Sequence, residues 1–515
     1  MKDLGSKTKI GILYTSGARF AGIALHFVNI VFLARLLTPE DFGMAATGML
    51  VIGFATKFGE FGFNMGLIQR NAEVTDTHVN TLFTMDLSFK IALWLIILVS
   101  TTFIAHFFDG VNYNDLVASL PIISFYMVLE CFSTTPMAMM QRNMDFKKRS
   151  IILMSEGVIT TINAIIMAFS GWGFWSLIYS KLIGIMIVGV WAAFMTKWVP
   201  KIKWDREAAK ELFSFGFMVF LRNLFRYGAD NAANFAVLKV LGGGALGIYD
   251  KAFGLMRLPQ KHLTKGMNSV VFAAVSRIQD EPERVRQAFR KVILAVGLIS
   301  FPILAGMAVI APYLVPILLG DQWLDTIAPL QIMCISGILL TIDPFITSVL
   351  TGMGLVKFTA ARRGLEFVLM GIAAFVGVQF GLSGVAIAAL VVAFIIMLTM
   401  ITLITNNSKI TWFDCFEPLW PATAMTLVML AAMILFQYGF IFFYPLPDLV
   451  MLLVLTFVGG ITYIGSYFLF RFQLAQDLIQ ELSKDSQKAT RILKEKTQKI
   501  RKRIFPVSRK KTAIG

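Results

Sequence analysis

Cysteine, charge and the signatures of catalysis are all scarce in this chain of 515 residues. Only 15% of residues are charged and only three are cysteine, Cys131, Cys334 and Cys415. Each cysteine lies in or at the end of an apolar segment without metal-ligand spacing, so neither a disulfide framework nor a zinc site is indicated. No GxxxxGK(S/T) pattern is present to cradle a nucleotide, and no HExxH to carry zinc. No long loop bears paired acids of the kind that membrane glycosyltransferases use. The sequence therefore reads as a non-enzyme with no cofactor, and ATP-driven work would need a partner. Acids are scarce too: 31 Asp and Glu stand against 47 Lys and Arg, a formal net charge of +16.

What the chain has in abundance is apolar sequence. It is 57% hydrophobic with a mean hydropathy of +0.72, which places it in the polytopic membrane class. We read an all-α protein with fourteen candidate spans: 10–37, 42–69, 79–107, 115–140, 146–169, 173–196, 210–240, 244–276, 288–319, 323–351, 356–380, 383–405, 412–437 and 447–471. In a soluble protein such basicity would suggest nucleic acid, but here its placement follows membrane sidedness, and no nucleic-acid partner is expected. With the N-terminus in the cytoplasm, outer loops such as 38–41, 108–115, 241–243 and 320–322 hold no Lys or Arg. The inner segments carry Arg142, Lys147, Lys148 and Arg149, then Lys197, Lys201, Lys203 and Arg206, then Arg277, Arg284 and Arg286, and a basic tail. That asymmetry puts both termini in the cytoplasm. Lys2, Lys7 and Lys9 precede an apolar run that contains Arg19 and His26 and meets no small-residue cleavage site, so it reads as a retained first helix. At the first outer turn, Thr38, Pro39, Glu40 and Asp41 supply an N-cap hydroxyl, a first-turn proline and acids, and a new helix begins at once.

The stretch from Leu212 to Ser276 organises the rest. Two long helical segments meet at Gly242, Gly243 and Gly244, and they carry Arg222, Arg226, Lys239, Lys251, Arg257, Lys261 and Lys265 against only Asp230 and Asp250. A basic side chain at the centre of a membrane helix costs about 2.5–3.5 kcal/mol on insertion scales, so these cannot all face lipid. Arg222, Arg226 and Asp230 are spaced i, i+4, i+8, and Asp250, Arg257, Lys261, Lys265 and Asn268 fall near one line of the next helix. Each helix has one charged stripe on an otherwise apolar girth. A water-filled cationic cavity at mid-membrane accommodates both; structural ion pairing competes, but two acids cannot neutralise seven bases.

Sliding the chain by 204 residues aligns Leu37 with Leu241, Phe42 with Leu246, Gly43 with Gly247, Gly62 with Gly266 and Asn64 with Asn268. The repeat implies two six-helix lobes related by a pseudo-two-fold along the membrane normal, with the cavity between them. The chain then divides into an N-lobe at 1–205, a C-lobe at 206–405, two peripheral spans at 406–472 and a tail at 473–515. By the same repeat the first two spans line the opposite wall, through Arg19, His26 and Asn29 on one helix and Lys57, Glu60 and Asn64 on the next. Pairing of Lys57 with Glu60, and a packing role for His26, compete with that reading. Asp86 and Lys90 at i, i+4 neutralise each other. Glu130, Glu156, Lys181, Asp343, Arg363 and Glu366 read mainly as pairs within a lobe, with ion coupling as the alternative. The basic tail, with Leu474, Leu478, Ile479 and Leu482 among its cations, suits an anionic lipid surface, and a solvated tail is the competing reading.

Three stretches carry a family likeness: LARLLTPEDFG from Leu33 to Gly43, FGFNMGLIQR from Phe61 to Arg70, and QRNMDFKKR from Gln141 to Arg149. They resemble the polysaccharide-transporter branch of the MOP (multidrug, oligosaccharidyl-lipid, polysaccharide) superfamily, and most of all its lipid-linked oligosaccharide flippases of the O-antigen and colanic-acid exporter type. The resemblance implies a bacterial inner-membrane protein that moves an undecaprenyl-pyrophosphate-linked repeat unit from the cytoplasmic to the periplasmic leaflet by alternating access, with other polysaccharide-assembly proteins as further partners. On that reading the pyrophosphate meets Arg19, Lys57, Arg222, Arg226, Lys251, Arg257 and Lys261. Asn29, Glu60, Asn64, Asp230 and Asp250 supply the polar remainder and any coupling to H+ or Na+. A drug or cation antiporter of the related MATE branch is the runner-up, although the first span holds no acid. A membrane glycosyltransferase or polymerase, and a scaffold of polysaccharide assembly, are the other classes.

Overall fold

A computed structural model describes Gly22, Leu25 and residues 27–59, 75–108, 110–441 and 446–470. Within these, the side chains of 58–59, 207–222, 260–267, 269–270, 273, 356–357, 359–360 and 440–441 fall outside the description. Among the described residues all regular structure is helical. The helices are α1 (Phe27–Leu36), α2 (Pro39–Gly59), α3 (Asp76–Phe107), α4 (Tyr113–Arg142), α5 (Phe146–Phe169), α6 (Trp175–Thr196) and α7 (Arg206–Ile278). There follow α8 (Pro282–Leu318), a 3-10 turn (Asp321–Thr326), α9 (Ile327–Gly352), α10 (Val356–Gly377), α11 (Gly381–Asn407), α12 (Trp412–Phe416), α13 (Trp420–Ile441) and α14 (Asp448–Phe470). Among the described residues ten apolar helical stretches are long enough to cross a membrane, counting Asn223–Pro259 within α7, and α10 with α11, as one each. A helix satisfies its own backbone, which is why an apolar chain of this kind folds this way in lipid.

Helix ends follow from local chemistry. Asp41 accepts from the Thr38 amide at 3.0 Å while Thr38 Oγ1 accepts from the Asp41 amide at 3.2 Å, a reciprocal cap that starts α2 as its sequence requires. Asn112 Oδ1 accepts from the amides of Asn114 and Asp115 and starts α4. In α7 the helical backbone breaks at Gly242, where φ is 87°. An L side chain is strained there, and this residue folds the long helix into two arms.

Helices α3 to α6 pack on one another, and α7 to α11 form a second group; α13 and α14 pack together and on α8. The two groups meet mainly where α2 lies along α7. At the end of the bundle that holds the Gly242 turn the approach is backbone on backbone. A Cβ on Gly43 would stand 1.8 Å from the Gly243 carbonyl oxygen, and one on Gly247 would stand 2.2 Å from that of Pro39. The Gly243 amide also donates to the Gly110 carbonyl at 3.0 Å. Around this crossing a single apolar core joins Ala34, Met44 and Leu116 to Val237, Leu246, Tyr249 and Trp323.

Buried charge is settled inside each group. Lys90, 3% exposed at its side chain, lies 3.2 Å from Asp86 and 3.1 Å from Glu130 on α4, so Glu130 is paired. Arg362, 2% exposed, pairs with Asp343 of α9 and with Glu366, and Glu366 also takes Arg363 at 2.8 Å. Near the opposite end of α8, Arg286 and Arg290 donate to the buried Asp414 at 2.7 and 3.1 Å, and Arg290 also reaches Glu417. This clasp ties the segment leading into α13 to α8.

Two outcomes test this account. Gly43→Ala cannot keep the present crossing, so disulfide cross-linking between cysteines placed at Glu40 and Gly244 should fall at least several-fold relative to the same pair with Gly43 intact; unchanged cross-linking would show that the crossing tolerates a methyl. Lys90→Ala leaves two carboxylates without their cation, and thermal unfolding in detergent should report a loss of about 3–5 kcal/mol, against under 1 kcal/mol for removing an exposed cation such as Lys148.

Candidate functional site

The stripe on the first arm of α7 and the line on its second arm converge on one carboxylate. Asp230 lies 3.7 Å from Arg226 Nε and 3.8 Å from Arg257 Nη2. Counted from the Gly242 turn, Arg226 is about 24 Å along one arm and Arg257 about 22 Å along the other, mid-depth for a membrane-crossing helix. A single acid thus bridges two guanidiniums from opposite arms, leaving one positive charge in excess. Both cations stay open, with side chains 67% and 46% exposed. Ion pairs this exposed contribute only about 0–1 kcal/mol, so Asp230 orients the two arginines without consuming them. Arg257 also lies 4.3 Å over the Phe253 ring, which fixes its plane.

Beside this pair is a cleft of about 70 Å³ lined by Asp230, Asn234, Tyr249, Phe253, Arg257 and Glu366 among others. Glu366 links it to the Arg362 and Asp343 network, so sealed and open charge adjoin. Asn234, four residues beyond Asp230, extends the charged stripe by one turn and was legible at i+4 spacing. Arg362 also escaped the sequence reading, although its i, i+4 relation to Glu366 was there to see.

The remaining candidates are distributed elsewhere. Lys251 is not beside Arg226 and Arg257: its ammonium lies 3.4 Å from the Phe42 ring centroid and 5.7 Å from that of Trp323, at the glycine crossing. Lys239 lies 4.6 Å over the Phe107 ring at the same end. Asp250 is exposed. Asn29 donates to Thr161 of α5 at 3.4 Å and so is engaged within the first group of helices. Lys57 is half-buried in the last turn of α2. Arg19, His26, Glu60 and Asn64 lie outside the described residues, as do the side chains of Arg222, Lys261 and Lys265.

The end that carries the Gly242 turn is shut by more than glycine packing. Helix α1 finishes with carbonyls that have no partner in the helix, and residues nearly 300 positions away supply one. Trp323 Nε1 donates to Ala34 O at 2.8 Å, and Gln322 Nε2 donates to Ala34 O at 2.6 Å and to Leu37 O at 2.9 Å. Arg35 donates to the carbonyl of Ile317. At the level of Arg226 the groups are joined by the neighbouring Tyr227, whose Oη donates to Leu50 O of α2 at 2.8 Å and whose ring lies 6.5 Å from that of Phe54.

The chain is similar to several known proteins. Residues 32–328 match the family described as "Polysaccharide biosynthesis protein". The lipopolysaccharide biosynthesis protein WzxC of Escherichia coli K12 is 25% identical over 354 residues, 68% of this chain and 70% of that protein. The teichuronic acid biosynthesis protein TuaB of Bacillus subtilis 168 is 24% identical over 384 residues, 74% and 78% of the two chains. Among solved structures, the lipid II flippase MurJ in an inward closed conformation superposes with a TM-score of 0.73 at 15% identity, covering 91% of this chain and all of that one. An inward-facing multidrug resistance MATE family transporter gives 0.62 at 14% identity over 75% and 95%. The fold and the family match together make this chain a member of the polysaccharide biosynthesis protein family, a membrane transporter of the polysaccharide-export branch of the MOP superfamily and not an enzyme.

Proposed function

We propose that the protein is a flippase that carries an undecaprenyl-pyrophosphate-linked oligosaccharide repeat unit from the cytoplasmic to the periplasmic leaflet by alternating access. The observation that carries this reading is the pair of exposed guanidiniums, Arg226 and Arg257, sharing one carboxylate at mid-depth in apolar helices. Uncompensated cations in such a place have a use only if a ligand supplies the missing negative charge. A diphosphate supplies it in matching form, since guanidinium donates two parallel hydrogen bonds to phosphate oxygens. The coarser function, flippase-type transport in polysaccharide or lipid-linked oligosaccharide export, is already that of the family.

The geometry fits the rest of the cycle. With both termini in the cytoplasm, the sealed end faces the periplasm and the arginine pair is reached from the cytoplasmic side. In this arrangement fourteen spans form two six-helix lobes, with α13 and α14 peripheral. Substrate enters with its polyprenyl tail left in lipid between the lobes and its diphosphate drawn to Arg226 and Arg257; Arg19, Lys57, Arg222 and Lys261 add cationic character around it. Asp230 holds the arginines apart while the site is empty and yields them to the stronger, doubly charged ligand. Neutralisation across the lobes then favours their closing at the cytoplasmic side. The periplasmic seal of Gln322, Trp323 and Arg35 must break for release, and each of its hydrogen bonds is to a helix-end carbonyl that water can satisfy instead.

Arg226→Gln and Arg257→Gln should each slow flipping of an undecaprenyl-pyrophosphate oligosaccharide in reconstituted vesicles at least ten-fold, with membrane insertion and yield of folded protein unchanged. Flipping at the wild-type rate in both variants contradicts the assignment.

A further inference from the structure

Lys181 is an exposed cation that the proposed cycle does not use. Lys181 sits six residues past the start of α6 at Trp175, within an apolar span, and its side chain is exposed. It cannot face lipid: Ile178 and Ile185, one turn to either side on the same helix face, are 1% and 4% exposed and pack inward. Its ammonium lies 3.4 Å from Met49 Sδ on α2, the helix that runs along α7. An exposed side chain on an inward face opens onto the space between the two groups of helices. The charges that act on it are Asp250, from the second arm of α7, and Glu156 of α5. Asp250 is likewise exposed, between the buried Tyr249 and the aromatic-covered Lys251.

Depth separates this pair from the arginines. Measured from the Gly242 end, Lys181 enters its helix about 9 Å and Asp250 about 12 Å, whereas Arg226 and Arg257 lie about 22–24 Å along theirs. One charged tier thus stands about 10 Å nearer the sealed end than the other, on the path a headgroup follows to the periplasm.

We propose that Lys181 is a second station for the anionic headgroup, taking the diphosphate from Arg226 and Arg257 as the lobes rearrange, and that Asp250 holds its ammonium while the station is empty. This inference rests on the flippase reading. It assigns the two walls distinct duties: capture by the C-terminal helices, and transfer by a lysine on the N-terminal ones. A lysine suits transfer, because its ammonium is a mobile point charge that releases a phosphate more readily than a bidentate guanidinium does.

The test uses the full chain reconstituted in vesicles with undecaprenyl-pyrophosphate-linked oligosaccharide, and compares Lys181→Gln, Lys181→Arg and the exchanged pair Lys181→Asp with Asp250→Lys. The expected result is flipping at least ten-fold slower in Lys181→Gln, recovery to within about three-fold of wild type in Lys181→Arg, and a slow exchanged pair, whose cation now stands on the wrong wall. An exchanged pair that flips at the wild-type rate shows that Lys181 only pairs with Asp250 and overturns the station. Wild-type flipping in Lys181→Gln overturns it as well while leaving the flippase reading intact. A wild-type protein that flips none of this lipid overturns the flippase reading and this inference together.

Discussion

A cation inside an apolar helix must find an anion, an aromatic face or water, and the architecture follows from which of these each base receives. Lys90 and Arg362 receive carboxylates and are sealed, each serving to hold its own group of helices together. Lys251 and Lys239 receive aromatic rings at the end of the bundle that carries the Gly242 turn. Arg226 and Arg257 receive half of one aspartate each and remain open. Exposure, rather than the presence of charge, therefore distinguishes residues that build the protein from residues able to take a ligand.

The second constraint is the glycine crossing. At Gly43, Gly243 and Gly247 the backbones meet directly, and beside them Phe42, Leu246, Tyr249 and Trp323 interlock in the apolar core. The hydrogen bonds of Gln322 and Trp323 end on helix-terminal carbonyls and are the part of this contact that water can replace.

Much of this was legible in the residues. Helical period and hydropathy located the apolar helices, the Thr38 and Asp41 cap, the turn at Gly242 and the Asp86 and Lys90 pair, because each depends on neighbours within a turn or two. The convergence of Arg226 and Arg257 followed from two stripes meeting at one turn. What escaped involves distant partners. The approach of Glu130 to Lys90, of Asp343 to Arg362 and of Asp414 to Arg286 spans separations that no local period encodes. Lys251 lies on the same arm as Arg257 and next to Asp250 in sequence, yet its place is decided by Phe42 and Trp323, far off in sequence. A stripe says which residues share a direction; only packing decides what stands opposite.

The claim tested most directly in cells is that this chain moves lipid-linked repeat units across the membrane. The measurement is lipid mass spectrometry, with leaflet accessibility, of polyprenyl-pyrophosphate oligosaccharides in cells with and without the protein. The account predicts that complete repeat units accumulate in the cytoplasmic leaflet when the protein is absent and that surface polymer is lost. An unchanged distribution between leaflets would contradict it.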